Sequence, residues 1–456
     1  MKTAIHASNL TVLIEEDRIV SVGGSELCRQ ADEVVDTRGA AIFPGFHDSH
    51  LHLLMTGQAL TDTDLNACTS IKEIQARLKE AAGTVIHGMG WNQENLEEGR
   101  MPDRYDLDAV SQSVPVIADR TCTHILSANT AAMKEAGVWH EDGIFSEEDC
   151  LPFMKLLEGR EAEQIEKAVD HCLRKGLTCV QPADLKAHNF RKLLPVYKKM
   201  SEKIRIIHQV QITDPVTMKE FLDCSAAYET STHTFGPFKG FADGALGGRT
   251  ACLSRDYADA PGSRGSETMT LDEMTAFVKA AGQLGKPAVF HAIGDQAISH
   301  VLTAFARADT GQPNGIIHVQ ITDDAILERM KQDHVQAYVQ PVFWRADQAI
   351  VRARTGDMAD TSYAFHRLYK SVPTSFGTDS PIEDCDPLAN MAWACRLPDP
   401  FTEEEALDAY TVQPALCAGR RDLGKIAPGY LADFVFLKNG EVINTMVAGR
   451  LTHDFG

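Results

Sequence analysis

The feature that most constrains the fold of this 456-residue chain is a succession of short apolar runs separated by longer stretches with helical periodicity. Such alternation predicts parallel βαβ units. The candidate strands are AIFPGFHDSH (41–50), LTCVQPAD (177–184), IRIIHQVQI (204–212), FKGFAD (238–243), PAVFHAI (287–293), GIIHVQ (315–320), VQAYVQP (335–341) and PTSFGTD (373–379). Eight is the number of strands that a closed (β/α)8 TIM barrel needs. The sequence therefore predicts an α/β fold built around this barrel.

The two ends of the chain differ in sequence pattern from its middle part. They contain short β-type runs joined by glycine and charged residues, as in TVLIEEDRIVSVGG and ADFVFLKNGEVINTMVAGR. These runs predict a small β-sandwich domain formed by residues 1–43 and 420–456. The long stretch between the first two candidate strands contains strand-like pieces of its own (VIHGMGW and PVIADR), so we expect an inserted α/β subdomain over 61–165. The barrel then comprises 44–60 and 166–419.

The charge and the cysteine content of the chain restrict its expected partners and its cellular location. The chain has 64 acidic and 44 basic residues, for a formal net charge of −20. This field repels phosphate backbones and anionic membrane surfaces, so neither nucleic acid nor a membrane is an expected partner. Eleven cysteines occur without a CxxC pair, which favours a reducing cytoplasm over a disulfide framework. We expect a cytoplasmic homo-oligomer, specifically a dimer, that acts on a small molecule.

The strongest local signal is the triplet His50-Leu51-His52 at the end of the first candidate strand. Residues two apart on a strand face the same side, so one metal ion can take both imidazoles. Taken alone, the pair is equally compatible with two packed histidines. Residues at the ends of the other candidate strands decide between these two interpretations.

Three further candidate strands end in residues that can bind a metal: His291 closes PAVFHAI, His318 closes GIIHVQ and Asp379 closes PTSFGTD. Each falls where a barrel places its active site. Singly, such a histidine can be a packing residue, and such an aspartate a turn former or helix cap. Four imidazoles and a carboxylate together suit one or two divalent ions, and zinc best of all.

Lys239 lies on the fourth candidate strand and points into the same ring of residues. An ammonium cannot ligate a cation, so a role there requires a modified side chain. A lysine carboxylated by carbon dioxide is an anionic ligand that can bridge two metal ions. The alternative is an ordinary surface lysine at a strand edge.

Several blocks, in order along the chain, carry a family resemblance: PGFHDSHLHLL, KGFADGALGGRTA, VFHAIGD, HVQ and FGTDSP. They resemble the amidohydrolase superfamily. GMGWNQ (88–93), RTCTHILSANTAAM (120–133), GLTCVQPADL (176–185) and ALDAYTVQPA (406–415) are similar to its YtcJ-like or amidohydrolase-3 branch, which includes N-substituted formamide deformylases. The resemblance covers nearly the whole chain.

The resemblance implies a site and a reaction. The implied ligands are His50 and His52 for the more buried metal, His291 and His318 for the second, a carboxylated Lys239 as bridge, and Asp379 as ligand and proton shuttle. The implied reaction is hydrolysis of a C–N bond by a metal-activated hydroxide. Two blocks depart from the branch: GIIH replaces the frequent RIEH, and CVQP, with Gln181 and Pro182, replaces SVHD. Both departures concern substrate contacts more than metal binding.

His124 and Trp91 lie in the inserted segment and resemble positions that face the barrel mouth in this branch. The resemblance therefore implies that both contact substrate. Without it, His124 is equally compatible with a helix cap and Trp91 with a packed side chain.

Two other functions remain open at this point. One is phosphoester or lactone hydrolysis on the same barrel, for which a basic phosphate-binding cluster near the mouth would favour the phosphoester. The other is a catalytically silent metal-binding or ligand-binding relative, which would be expected to lack Asp379 or a histidine. None of these residues is missing.

Overall fold

The computed structural model describes residues 1–81, 83–120, 125–453 and 455. These residues form two compact units, one of residues 1–53 with 169–456 and the other of residues 54–168. Within the described residues, the first unit holds an eight-stranded sheet and two four-stranded sheets, and the second a five-stranded sheet.

The eight-stranded sheet is the predicted barrel, which the structure confirms. Its strands are β1 Phe46–Leu51, β2 Leu177–Pro182, β3 Arg205–Val210, β4 His233–Phe241, β5 Ala288–Ala292, β6 Gly315–His318, β7 Gln336–Val339 and β8 Thr374–Phe376. Each strand pairs in parallel with its neighbours in chain order. The ring closes where Asp379 N donates to His50 O and His52 N donates to Ser380 O, both at 2.8 Å. All carboxyl ends of the strands therefore meet at one face.

Helices follow the barrel strands and bury the outer face of the sheet. They are Glu161–Arg174 before β2, Phe190–Met200, Pro215–Ser225, Leu271–Gln283, Asp295–Ala308 and Asp324–Gln332 after β2 to β6, Trp344–Asp347, Val351–Thr355 and Phe365–Tyr369 after β7, and Pro387–Ala394 and Glu403–Cys417 after β8. Strands covered on both faces are buried along their whole length, in contrast to the alternating pattern of a half-exposed strand. Strands β2 and β3 are buried at every residue.

Two of the differences between the predicted and the observed strand bounds reach five residues. The first candidate strand is two strands, because Ala41–Pro44 pairs with Phe434–Lys438 whereas β1 pairs with β2. The break falls at Gly45, where a Cβ would lie 2.1 Å from Thr178 Oγ1. Strand β4 begins earlier than predicted, at His233, because its first residues extend the pairing with β3.

The two ends of the chain form a pair of small sheets, as their short β-type runs predicted. One contains Arg18–Gly23, Thr11–Glu15, Lys2–His6 and Glu33–Asp36, and the other Arg450–Leu451, Glu441–Val447, Phe434–Lys438 and Ala41–Pro44. They share one apolar core that includes Ile5, Val12 and Phe434. A buried ion pair joins this region to the barrel: Arg205 Nε donates to Asp433 Oδ2 at 2.9 Å.

The second unit has its own sheet and core. Its strands are Thr63–Asp64, Ile86–Trp91, Val116–Arg120, Ile125–Ala128 and Ile144–Ser146, and its helices include Ile71–Glu80, Arg104–Asp108, Thr130–Ala136 and Leu151–Leu157. Helix Leu53–Thr61 begins at the end of the first unit. The predicted boundaries of 61–165 and of the terminal β-domain remain predictions. Among the described residues, no helix has the length and apolar character required to cross a membrane.

Candidate active site

His50 is held at the barrel mouth by a neighbouring strand. It lies on β1 and is fully buried. Its Nδ1 donates to Gln209 Oε1 at 2.7 Å, and Gln209 Nε2 donates to Ser49 O at 2.9 Å. A fixed hydrogen bond at one ring nitrogen leaves the other nitrogen available as a metal ligand. The Nε2 atom of His50 therefore points to the centre of the mouth.

His318 repeats this arrangement on β6. Its Nδ1 donates to Gln340 Oε1 at 2.8 Å, and its ring centroid lies 5.8 Å from that of His50 and 4.5 Å from that of His291. His291 Nε2 donates to Gly244 O at 2.9 Å. Burial lowers the pKa of His50 and of His291 to about 4 and that of His318 well below its usual value. The three imidazoles are therefore neutral, as metal ligands must be.

Asp379 lies between the first two histidines. Its Oδ1 is 3.3 Å from His50 Nε2 and 3.4 Å from His52 Nε2. Burial acts to raise its pKa, but the close contact with His50 and the other neighbouring imidazoles outweigh burial and hold the pKa well below its usual range. The residue has a left-handed backbone, with φ 55°. A non-glycine residue in this region is uncommon and is a frequent feature of functional sites.

Lys239 on β4 points into the same centre. Its Nζ lies 3.1 Å from His50 Nε2 and 4.8 Å from the ring centroid of Phe241. The side chain is buried, and burial lowers its pKa to about 8. The surface position that remained open for this lysine is thereby excluded.

The donor atoms fit a divalent metal ion. One ligand atom from each of His50, His318 and Asp379 lies within 4.8 Å of the other two, which is compatible with shared coordination at metal–ligand distances near 2 Å. His52 reaches the same carboxylate oxygen. Imidazole nitrogen and carboxylate oxygen are ligands that zinc and similar ions accept.

Carboxylates that the sequence analysis missed support these ligands. Asp48 Oδ1 accepts from His50 N at 3.0 Å, and Asp48 Oδ2 accepts from Thr378 Oγ1 at 2.6 Å, so it joins β1 to the segment that carries Asp379. Asp184 Oδ1 lies 3.7 Å from His52 Nδ1. The spacing of Asp48 two residues before His50 was the only sequence signal for either role.

A cavity of about 180 Å³ is lined by residues that follow β4, β5, β6, β7 and β8. Its wall includes Phe343, whose ring stacks on the imidazole of His318 with 6.1 Å between centroids. Other apolar walls come from Leu246, Ile293 and Ile382, in segments that follow β4, β5 and β8. A cavity of about 150 Å³ can hold one benzene molecule. The cavity therefore accepts a compact apolar group beside the metal ligands.

Polar groups also line this cavity. Gln320 is 2% exposed, and its Oε1 has no hydrogen-bond partner among the described residues. Asp347 accepts from the Tyr363 hydroxyl, and Glu383 pairs with Arg345 at 3.0 Å. Burial raises the pKa of both carboxyl groups. The described lining residues thus offer hydrogen-bond acceptors and include no cation.

The two predicted substrate contacts of the inserted segment have different outcomes. His124 lies outside the described residues. Trp91 has no exposed surface, and its Nε1 donates to Ala118 O at 2.8 Å within the core of the second unit. An indole that is fully buried and already bonded packs rather than contacts a ligand, so the packing alternative fits Trp91 better than the predicted contact.

Comparisons with known proteins agree with this geometry. The model of the family described as "Amidohydrolase family" matches residues 33–449. The putative amidohydrolase YtcJ of Bacillus subtilis (strain 168) is 28% identical, covering 97% of this chain and 96% of that protein. The N-substituted formamide deformylase of Arthrobacter pascens is 23% identical, with 94% and 90% covered. The crystal structure of an uncharacterized metal-dependent hydrolase from Pyrococcus furiosus has a TM-score of 0.83 at 28% identity, covering 96% of this chain and all 100% of the other.

Proposed function

Because the chain belongs to the amidohydrolase family, we propose that this metal-dependent hydrolase cleaves the C–N bond of an amide, formamide or related acyl-nitrogen substrate. The observation that carries the proposal is the position of Asp379. A buried carboxylate within 3.4 Å of two imidazoles can take a proton from water and return it to a leaving group. An amine is a leaving group that requires such a proton.

The residues of the candidate site have different proposed roles in the reaction. His50, His52, His291, His318 and Asp379 would hold one or two divalent ions, and we propose zinc. A bound ion polarises the substrate carbonyl and makes water more acidic. Asp379 Oδ1 accepts the water proton and later donates it to the departing nitrogen. Gln209 and Gln340 keep the two buried imidazoles in the orientation and tautomer that binding requires.

Lys239 completes the proposed centre as a carboxylated lysine. Lys239 Nζ lies 3.1 Å from His50 Nε2, so an unmodified ammonium would lie close to any metal ion that this nitrogen binds. At a separation of about 4 Å and an effective dielectric near 20, a unit charge and a divalent ion repel each other by about 8 kcal/mol. Carboxylation would replace this repulsion with attraction and would supply an anionic oxygen ligand.

The cavity beside His318 supports an acyl-nitrogen substrate over a phosphoester. Asp347 would repel a phosphate group, Glu383 is already paired with Arg345, and the described lining residues include no cation to bind one. The Gln320 amide can pair with the N–H of a substrate amide. An unpaired buried polar group costs about 1–3 kcal/mol, which such a substrate would offset. A lactone has no N–H to offer.

The function can be tested with a substrate panel. Metal-loaded protein is incubated with N-formyl and N-acyl amines that carry compact apolar groups, and with matched lactones and phosphoesters. Among these compounds, we expect the highest kcat/KM for one of the N-formyl or N-acyl amines. Higher kcat/KM for a lactone or phosphoester than for every amide would contradict the proposal, and so would no turnover of any amide by protein with a full metal complement.

Replacing Gln320 by leucine is expected to lower kcat/KM for a secondary amide about tenfold to a hundredfold, since one buried hydrogen bond is lost. The matched tertiary amide, which has no N–H, should change less than about twofold. Steady-state kinetics on this pair of substrates give the comparison. Gln332→Leu is the control, because this residue is exposed and its side chain donates to Glu328 on the same helix. Equal losses for both substrates would remove Gln320 from substrate recognition.

Three other expectations remain proposals. A small-molecule substrate agrees with the size of the cavity. The cytoplasmic location depends on the cysteine pattern, and the described cysteines are free thiols. The expected homodimer can be tested by measuring the oligomeric state of the protein in solution.

A further inference from the structure

A second cluster of metal-binding side chains lies away from the barrel mouth. His171 and Cys172 are neighbours in helix Glu161–Arg174, and Asp384 and Cys385 are neighbours in the segment between β8 and helix Pro387–Ala394. One ligand atom from each of His171, Asp384 and Cys385 lies within 4.8 Å of the other two. The sulfur atoms of Cys172 and Cys385 are 3.7 Å apart. Two short segments far apart in sequence thus bring four potential ligands together.

The chemistry of these ligands favours zinc. Imidazole nitrogen, carboxylate oxygen and thiolate sulfur are the donors of structural zinc sites. Two thiolates bound tetrahedrally at about 2.3 Å from one ion lie about 3.8 Å from each other. At 3.7 Å the two sulfur atoms are near enough for one ion to bind both after Cys172 changes its rotamer, whereas a disulfide would bring them to about 2.05 Å. Both thiols are buried, as zinc-bound cysteines commonly are.

Charged groups surround the cluster, and the hydrogen bond to Asp384 raises the pKa of His171 to about 9, so metal binding would release a proton from this imidazole. Asp384 Oδ1 lies 2.7 Å from His171 Nε2, and Asp384 Oδ2 accepts from Lys175 Nζ at 2.8 Å. A divalent ion would balance the two thiolates, and the Lys175 ammonium lies between the Asp384 and Asp386 carboxylates. Lys175 also bonds to Asp386, which caps the next helix, so the ammonium is held as an outer partner of the ligand.

We propose that His171, Cys172, Asp384 and Cys385 form a zinc site separate from the one at the barrel mouth. Cys172, in contact with Cys385, is the fourth ligand and reaches the ion by rotation of its side chain. The site ties a barrel helix to the segment that follows Asp379. That segment contributes Ile382 and Glu383 to the cavity wall, so the ion would fix one side of the substrate cavity.

Cobalt gives a direct test, because thiolate-bound Co²⁺ has a near-ultraviolet charge-transfer band that histidine and carboxylate ligands do not produce. Full-length metal-free protein is kept reduced and titrated with Co²⁺. We expect the band to saturate with one ion per chain in this cluster. Its intensity should fall by about half in Cys385→Ser and vanish in Cys172→Ser/Cys385→Ser. His171→Gln should keep the band and weaken cobalt binding about tenfold or more.

Cys224→Ser, at a partly buried thiol on another helix, is the matched control and should behave as the parent. Absence of the band from the unsubstituted protein overturns the proposal, and this measurement needs no variant to fold. A band that survives in the double cysteine variant also overturns it. So does a Cys172–Cys385 disulfide whose reduced form binds no cobalt through sulfur, since the pair would then be redox-active. None of these readouts depends on hydrolytic activity.

Discussion

Replacing Asp379 by asparagine is expected to lower kcat about 10²–10⁴-fold while most of the metal remains bound. The substitution removes the proton acceptor that lies 3.3 Å from His50 Nε2 and leaves the four imidazoles in place. Asparagine has the same shape and is one of the few residues that tolerate a left-handed backbone such as φ 55°. The loss should therefore report on proton transfer and not on folding.

The measurement pairs kcat on the best amide substrate with metal per chain by elemental analysis. Asp357→Asn is the control, because the Asp357 side chain is 76% exposed in a surface ion pair with Arg255. A variant at position 379 with the parental kcat would show that another group moves the proton. Loss of all metal would assign Asp379 mainly to coordination.

Replacing Lys239 by alanine is expected to remove most of the bound metal and lower kcat by at least about 10²-fold, because the proposed bridging ligand is lost. Short carboxylic acids such as acetate or propionate should restore part of both, since they can occupy the space that the buried side chain leaves. Metal content and kcat are measured against acid concentration.

Lys239→Met is the matched control for this rescue. Methionine fills the space of the lysine hydrocarbon chain and offers no oxygen ligand, so added acid should restore nothing. Equal rescue of both variants would show that the acids act elsewhere. Full metal content and activity in Lys239→Ala without any acid would reject the bridge and leave a centre built on the histidines and Asp379.

The barrel could be predicted because its signal is repeated. Eight apolar runs alternate with helices, and a parallel barrel places every strand end at one face whatever the sequence distance. Residues as distant in sequence as His50, Lys239 and Asp379 could therefore be expected to meet. In the structure, His50 Nε2 lies 3.1 Å from Lys239 Nζ and 3.3 Å from Asp379 Oδ1.

The supporting groups could not be predicted in the same way. Gln209 and Gln340 act through single hydrogen bonds to histidines on other strands, and no spacing in the sequence identifies those partners. The cysteines at 172 and 385 belong to two separate segments without a CxxC pattern. Trp91 is the opposite case, because a motif position implied a ligand contact, whereas the indole lies buried in the core of the second unit and bonds to Ala118 O.

Metal content tests the central claim most directly. It is measured by elemental analysis in Cys172→Ser/Cys385→Ser protein purified without chelator, so that the barrel mouth is the site examined, with circular dichroism to verify folding. We predict one or two equivalents of a divalent metal per chain, zinc foremost, and less than about a tenth of an equivalent after the further changes His50→Ala and His318→Ala. Unchanged metal content after those two changes, or a folded parent that neither contains nor binds a divalent transition metal, would contradict the account.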